Sequence, residues 1–172
     1  LFDGDIAKFI EGEAIIFGDL RNLLSLQLNR VSDLEKSLMY WLAIARESVE
    51  ISELKEDLLL PVDLGELLAA LQSLLRRGLI EKNESRFTLQ PVVMEYVTTV
   101  FKEQVCQEIL TGEVSLLISH ALMKATAPDY LKDAQIRLII TPVIDNLKRS
   151  IGTPKQIESH PANISDRLRG KP

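Results

Sequence analysis

Few residues in this chain are placed to do chemistry. His120 and His160 stand forty positions apart, with no partner at metal-ligand spacing, and Cys106 is the single cysteine, so neither a thiolate cage nor an internal disulfide can form. Ser119 adjoins His120, but neighbours on a helix point about 100° apart, so the pair is not expected to act as a nucleophile and base. His120 sits in a run with Val114, Leu117, Ile118 and Ala121, the setting of a core-edge histidine. Cys106, in an apolar stretch, reads as a structural thiol, and Glu53, Glu56 and Asp57 read as a solvated acidic face. A phosphate-binding loop needs Gly, four residues, then Gly-Lys and Ser or Thr, so that backbone amides cradle phosphate. The only Gly-Lys pair, Gly170-Lys171, is followed by Pro172. The residues therefore point to a non-enzyme that binds no metal and hydrolyses no nucleotide by itself.

The basic residues Arg76, Arg77, Lys82 and Arg86 are the remaining candidates, as contacts to DNA or to a protein partner. The elements around them follow from periodicity. Leu20, Leu23, Leu24 and Leu28 form an apolar stripe on a helix over Asp19–Asn29, after a shorter helical pattern near Asp5–Glu11. Ser32-Asp33-Leu34-Glu35 has the form of a capping box, and the helix behind it is apolar over more than half its girth, from Leu34 through Leu38, Trp41 and Ala45. A shorter helix opens at Ile51 and must end by Pro61. Asp63 caps a third helix, with Leu64, Leu67, Leu68, Leu71, Leu74 and Leu75 at helical intervals and Gly78 placed as its left-handed terminator. Leu79–Lys82 and Arg86–Leu89 read as a hairpin joined by Asn83-Glu84-Ser85. Helices are then expected over Val92–Leu110, Glu113–Ala125 and Asp129–Arg149, the last kinked or split by Pro142, with a weak segment over Pro154–Leu168.

The expected fold class is mainly α: a winged helix (three helices plus a short β-hairpin) flanked by helical segments. Many winged helices read DNA with the third helix, here Asp63–Arg77. The outward positions, taken as Gly65, Glu66, Ala69, Ala70, Gln72, Ser73 and Arg76, are small or acidic at the end that would meet the bases. Eleven acidic against seven basic residues across Ser32–Leu89 argue the same way, as does a formal charge of −5 for the whole chain. The small face Gly65, Ala69, Ala70 suits close packing against another protein instead. No apolar run approaches the ~20 residues that span a bilayer, and Asp3, Asp5 and Lys8 break any signal-peptide pattern, so a cytoplasmic location is expected. The chain opens on Leu1 and not Met, as a piece of a longer protein would.

Several runs carry a resemblance to a family. Phe17-Gly18-Asp19-Leu20-Arg21, Leu28-Asn29-Arg30-Val31-Ser32-Asp33-Leu34-Glu35-Lys36, Met39-Tyr40-Trp41-Leu42-Ala43-Ile44, Ser73 to Lys82, Phe87 to Thr98 and Gln135-Ile136-Arg137-Leu138-Ile139 together resemble NB-ARC (STAND) signalling ATPases of bacterial, especially cyanobacterial, type, which often end in WD repeats. The resemblance, which runs to about Gly152, implies that residues 1–30 are the end of a helical bundle, 31–98 the winged helix and 99–152 a helical connector. The polar last twenty residues, with Pro154, Pro161 and Pro172, read as a weakly ordered tail over 153–172. It also implies a function: a relay module coupling the nucleotide state of an ATPase core to downstream sensor repeats, both in the same parent chain. ADP or ATP would belong to that full-length context. The family's nucleotide-sensing Met-His-Asp motif falls by position on Leu89-Gln90-Pro91, so Gln90 stands where the histidine would be. A glutamine can donate a hydrogen bond to phosphate but cannot become cationic. The alternative reading is a free-standing winged-helix DNA-binding transcription regulator.

Overall fold

A computed structural model describes residues 18–59, 61–113 and 115–151. The expected helix near Asp5–Glu11, the segment Pro154–Leu168 and the tail 153–172 lie outside the described residues. Residues 18–28 are helical (α1), followed by α2 (Asp33–Ala45), β1 (Val49–Glu50), α3 (Ile51–Asp57), α4 (Leu64–Arg76), β2 (Ile80–Asn83), β3 (Arg86–Leu89) and α5 (Pro91–Thr111). Beyond α5 come the single turn α6 (Leu116–Ser119), α7 (Asp129–Gln135), a π-helical turn over Ile136–Ile140 and α8 (Thr141–Ile151). The described chain is mainly helical with one small sheet of strand order β1-β3-β2, both pairings antiparallel.

The first long core helix starts where its capping box says it should. The Glu35 backbone N–H donates to Ser32 Oγ at 3.2 Å, and Ser32 N–H donates to Glu35 Oε2 at 2.6 Å. Burial pushes the Glu35 carboxyl up, but the hydroxyl of Ser73, both Ser32 contacts and the charge of Arg77 outweigh it and hold the group below its ordinary value. Every residue from Leu38 to Ala45 is buried, so α2 has no solvent face along that stretch. It is packed by α5 and α4, with β3, α3 and α7 completing its surround. Its C-terminal end turns on Arg46 at φ 61°, whose guanidinium donates to Thr98 Oγ1 (3.0 Å) and Glu95 Oε1 (3.2 Å) of α5. Gln135 Nε2 reaches the Ile44 carbonyl at 2.8 Å, satisfying one of the acceptors that a helix end leaves open.

Asp63 caps α4 by accepting from Gly65 N–H at 2.8 Å, and Gly78, at φ 67°, lets the chain reverse into β2. The hairpin runs one residue later in its first strand than the sequence pattern suggests and turns at Glu84 (φ 55°). Its third partner, β1, is a two-residue strand that the alternation rule cannot see. Val49 pairs with Phe87 and Glu50 with Arg86.

Other expectations need correction. Leu23 is 60% exposed, so the apolar stripe of α1 is Leu20, Leu24 and Leu28 only, at four-residue steps. Ala70 is buried against the core and is not part of the outer face of α4, whereas Leu64 and Leu68 are exposed. The helix expected over Glu113–Ala125 is reduced to Leu116–Ser119, because His120 adopts an extended conformation (φ −135°, ψ 133°) and carries its ring inward. Pro142 does interrupt the last long helix. It has no N–H to give and its ring crowds the carbonyl four residues back, and the chain widens into a π turn in which Thr141 N–H bonds the Ile136 carbonyl. Replacing Ser32 by Ala removes one half of the α2 cap and is expected to lower stability by about 1 kcal/mol in urea unfolding. An unchanged midpoint would show that tertiary burial alone sets the start of α2.

Candidate functional site

The basic residues singled out from sequence fall into two groups. Arg76 is exposed near the C-terminal end of α4 and Lys82 is exposed on β2, its Nζ 5.7 Å from the centre of the Phe87 ring. Arg77 is exposed but donates to the Arg30 carbonyl at 3.2 Å, tying α4 to the α1–α2 turn. Arg86 is committed to the fold. Its Nε and Nη2 donate to the Ser48 carbonyl at 3.0 and 2.6 Å, and its guanidinium pairs with Glu50 (3.1 Å) and Glu53 (3.4 Å). That fork staples β3 to the β1–α3 junction and leaves little of Arg86 for a phosphate. Arg77 and Arg86 are thus engaged by the fold, and Arg76 and Lys82 are the more exposed pair.

Gln90 sits at the N-cap of α5, half-buried, with Pro91 as the first helical residue. Its backbone is fully used: the N–H donates to the Leu79 carbonyl (3.2 Å) and the carbonyl accepts from Met94 N–H (2.7 Å). The side chain makes no capping hydrogen bond, so the amide is available at the hairpin-to-helix junction. A single neutral amide is too little to retain a nucleotide. Beside the junction, a cleft of about 560 Å³ opens between α1 and the start of α5, lined by Leu20, Leu24, Val92 and Tyr96.

Sequence reasoning missed the most organised polar cluster, which is centred on His120. The imidazole is buried, stacks on Trp41 at 5.1 Å and meets Tyr40 edge-on at 5.6 Å, with Phe101 at 6.3 Å. Contrary to the helical-neighbour argument, Ser119 Oγ lies 2.8 Å from His120 Nδ1, because the helix ends between them. Across the interface, His120 Nε2 lies 3.0 Å from Ser37 Oγ and 3.3 Å from the Ser37 carbonyl of α2. Ser119 Oγ also lies 3.1 Å from the Ser115 carbonyl and 3.2 Å from the Leu116 carbonyl, so either tautomer completes the chain. With the proton on Nε2 the imidazole donates to Ser37 and accepts from Ser119. With it on Nδ1 the imidazole donates to Ser119 Oγ and accepts from the Ser37 hydroxyl. Glu108 of α5 holds the start of α6 in place by accepting from Leu116 N–H (2.7 Å) and Leu117 N–H (3.0 Å). No sequence signal could have joined residues 37 and 120, because their meeting depends on how α6 packs.

These groups line one wall of a surface cleft of about 1050 Å³ between α2, α5 and α6. The cleft's central polar groups are occupied with one another: Tyr40 donates to Gln104 Oε1 at 2.6 Å, and burial against that bond pushes the phenol up to about 12. Burial likewise lowers the His120 pKa, against the opposing pull of the Ser37 and Leu116 backbone and the Glu108 charge. The Ser–His–Ser chain thus acts as a structural tie. It lacks an array of free N–H groups facing Ser37 or Ser119, since Glu108 takes those at the start of α6. Cys106 is buried, its thiol 3.7 Å from the Val143 carbonyl and pushed up by burial, as suits an inert packing thiol. Among the described residues no cluster of three metal-ligating side chains occurs, and no helix is long and apolar enough to cross a membrane.

The pH dependence of stability follows from His120. Its folded pKa lies below the ordinary 6.5, so the unfolded chain takes up a proton first as pH falls. The His120 contribution is therefore complete above about pH 6.5, is lost as pH drops through the folded value, and is level below it. His120→Ala is expected to cost about 2–4 kcal/mol at pH 7.5, and the gap to the parent chain should narrow at pH 5. Unfolding titrations at both pH values decide this, and since His160 is common to both proteins the difference isolates His120. A gap that widens on acidification would contradict the assignment.

No family model matches the chain, and no solved structure does. Along 99% of its length the chain is similar, at 39% identity, to a stretch of an uncharacterized WD repeat-containing protein of Nostoc sp.. The chain spans 16%, about one-sixth, of that relative's length.

Proposed function

We propose that this chain is a non-catalytic relay module of an NB-ARC (STAND) signal-transduction ATPase, with residues 31–98 forming its winged helix. The observation that carries this reading is the collinear 39% identity, over almost the whole chain, to one-sixth of a much longer WD repeat-containing protein. A segment that recurs inside a repeat protein suits a connecting role better than a free regulator's. The element order supports the same reading: helix, short strand, two helices and a hairpin, with β3 between β1 and β2, is the arrangement a winged helix requires.

On this reading α2 to α5 move as one body. Their packing is continuous, while the surfaces that would exchange partners lie outside it, at the Gln90 junction and on the outer face of α4. Residues 1–30 would join this body to the ATPase core, and 99–152 would lead toward sensor repeats. The chain alone holds no ADP or ATP in this scheme. Gln90 would contribute one hydrogen bond to a nucleotide held by the core. A 98/99 boundary falls inside α5, which runs unbroken from Pro91 to Thr111, so rotation of the winged helix would carry the start of the connector with it.

Two measurements bear on the proposal. Co-expressed with the ATPase core of its parent protein, the chain should co-purify with it, and Gln90→Ala should weaken ADP retention by the pair severalfold at most. Failure to associate in either nucleotide state would overturn the relay reading. Against duplex DNA at about 0.15 M salt, fluorescence anisotropy should show binding no tighter than roughly 10⁻⁴ M, unaltered by Arg76→Glu. Submicromolar, salt-sensitive binding lost in Arg76→Glu would favour the transcription-regulator reading instead.

A further inference from the structure

The outer face of α4 has a layout that an ordinary solvated helix does not need. Gly65, Ala69, Gln72 and Arg76 are all exposed and recur at steps of four, three and four, so they form the outermost ridge, opposite the buried Leu67, Leu71 and Leu74. One flank of the ridge is apolar: Leu64 is 49% and Leu68 36% exposed, and Leu75 continues the flank half-buried. The other flank is charged and polar along its length, with Glu66 near the N-terminal end and Arg77 at the C-terminal end. Among the described residues neither Glu66 nor Arg76 has an ion-pair partner. The glycine has a local duty as well, since a Cβ at Gly65 would press on the capping Asp63 carboxylate at 2.9 Å.

We propose that this face pairs antiparallel with the same face of a second copy of the chain. A two-fold axis passing midway between Ala69 and Gln72 sets each Ala69 opposite the second copy's Gln72, and each Gly65 opposite its Arg76. Such a rotation keeps each flank on its own side of the interface. The Leu64–Leu68–Leu75 edge then meets its own counterpart, and Glu66 stands across from the second copy's Arg76 and Arg77. A parallel two-fold would instead exchange the flanks, setting Glu66 and Arg77 against the second copy's Leu64–Leu68–Leu75 edge and Arg76 against Arg76. Charge complementarity therefore selects both the occupant and its direction. The small residues at the ridge allow close approach of the two backbones. A 13-residue helix is only roughly 20 Å long, so the contact buries less than the ~800 Å² per partner of stable complexes, and the association is weak and concentration-dependent. This inference does not depend on the relay reading.

Sedimentation equilibrium on the 172-residue chain, from about 10 µM to about 1 mM, tests it. The expected result is a monomer–dimer equilibrium that Ala69→Lys abolishes and Glu66→Arg weakens by about tenfold, with Arg76→Glu and Arg77→Glu added to Glu66→Arg restoring it. All these positions are exposed, and circular dichroism confirms that each variant is folded. A chain that stays monomeric throughout overturns the proposal, and so does a dimer indifferent to Ala69→Lys or to the charge exchange.

Discussion

The structure depends on one constraint: α2 is buried on every side from Leu38 to Ala45. A helix with a single apolar stripe can be covered by one neighbour. One with eight consecutive buried residues must be surrounded, and so α5, α4, β3, α3 and α7 are all drawn against it. Fully burying each large side chain contributes roughly 1.5–3 kcal/mol, and the polar backbone ends of the helix must be satisfied for that gain to be kept. Ser32 and Glu35 do this at the start, and at the end the Arg46 backbone N–H on the Leu42 carbonyl and the Gln135 amide on the Ile44 carbonyl. These polar contacts set where the hydrophobic cylinder stops and which elements may lie next to it.

The same constraint makes the segment after α5 part of the core. The irregular run from His120 to Pro128 is anchored at three points: His120 against Trp41 and Ser37 of α2, Lys124 Nζ to Asp57 of α3 at 2.7 Å, and Lys124 N–H to Gln135 Oε1 at 3.2 Å. The Lys124–Asp57 pair is mostly shielded from solvent and so less screened than the surface ion pair Arg21–Glu103. The continuously packed body therefore extends past the hairpin, through α7 and into the π turn. Beyond it α8 packs on α5 and continues the π turn, and α7 packs on α2.

How much of this was legible in the sequence varied with the range of the interaction. Ser32–Glu35, Asp63 and Gly78 act within one turn of chain, and their roles could be read off directly. Burial of α2 could be read from the width of its apolar face. The strand β1 was invisible because two residues cannot show a period and Val49–Glu50 become a strand only by pairing with Phe87 and Arg86. Arg86 looked like a free cation because the carbonyl of Ser48 carries no sequence signature. His120 failed the helical-neighbour argument for a similar reason: it left the helix to reach Ser37, a partner 83 residues away. Leu64 and Leu68 looked like core because leucine at helical spacing marks an apolar face without saying which protein covers it.

The central claim is that this compact body works as one segment of a longer signalling protein. The most direct test is an immunoblot of the native source cells with an antibody raised against this chain. The account predicts a band several-fold larger than 19.4 kDa. A single band near 19.4 kDa would contradict it.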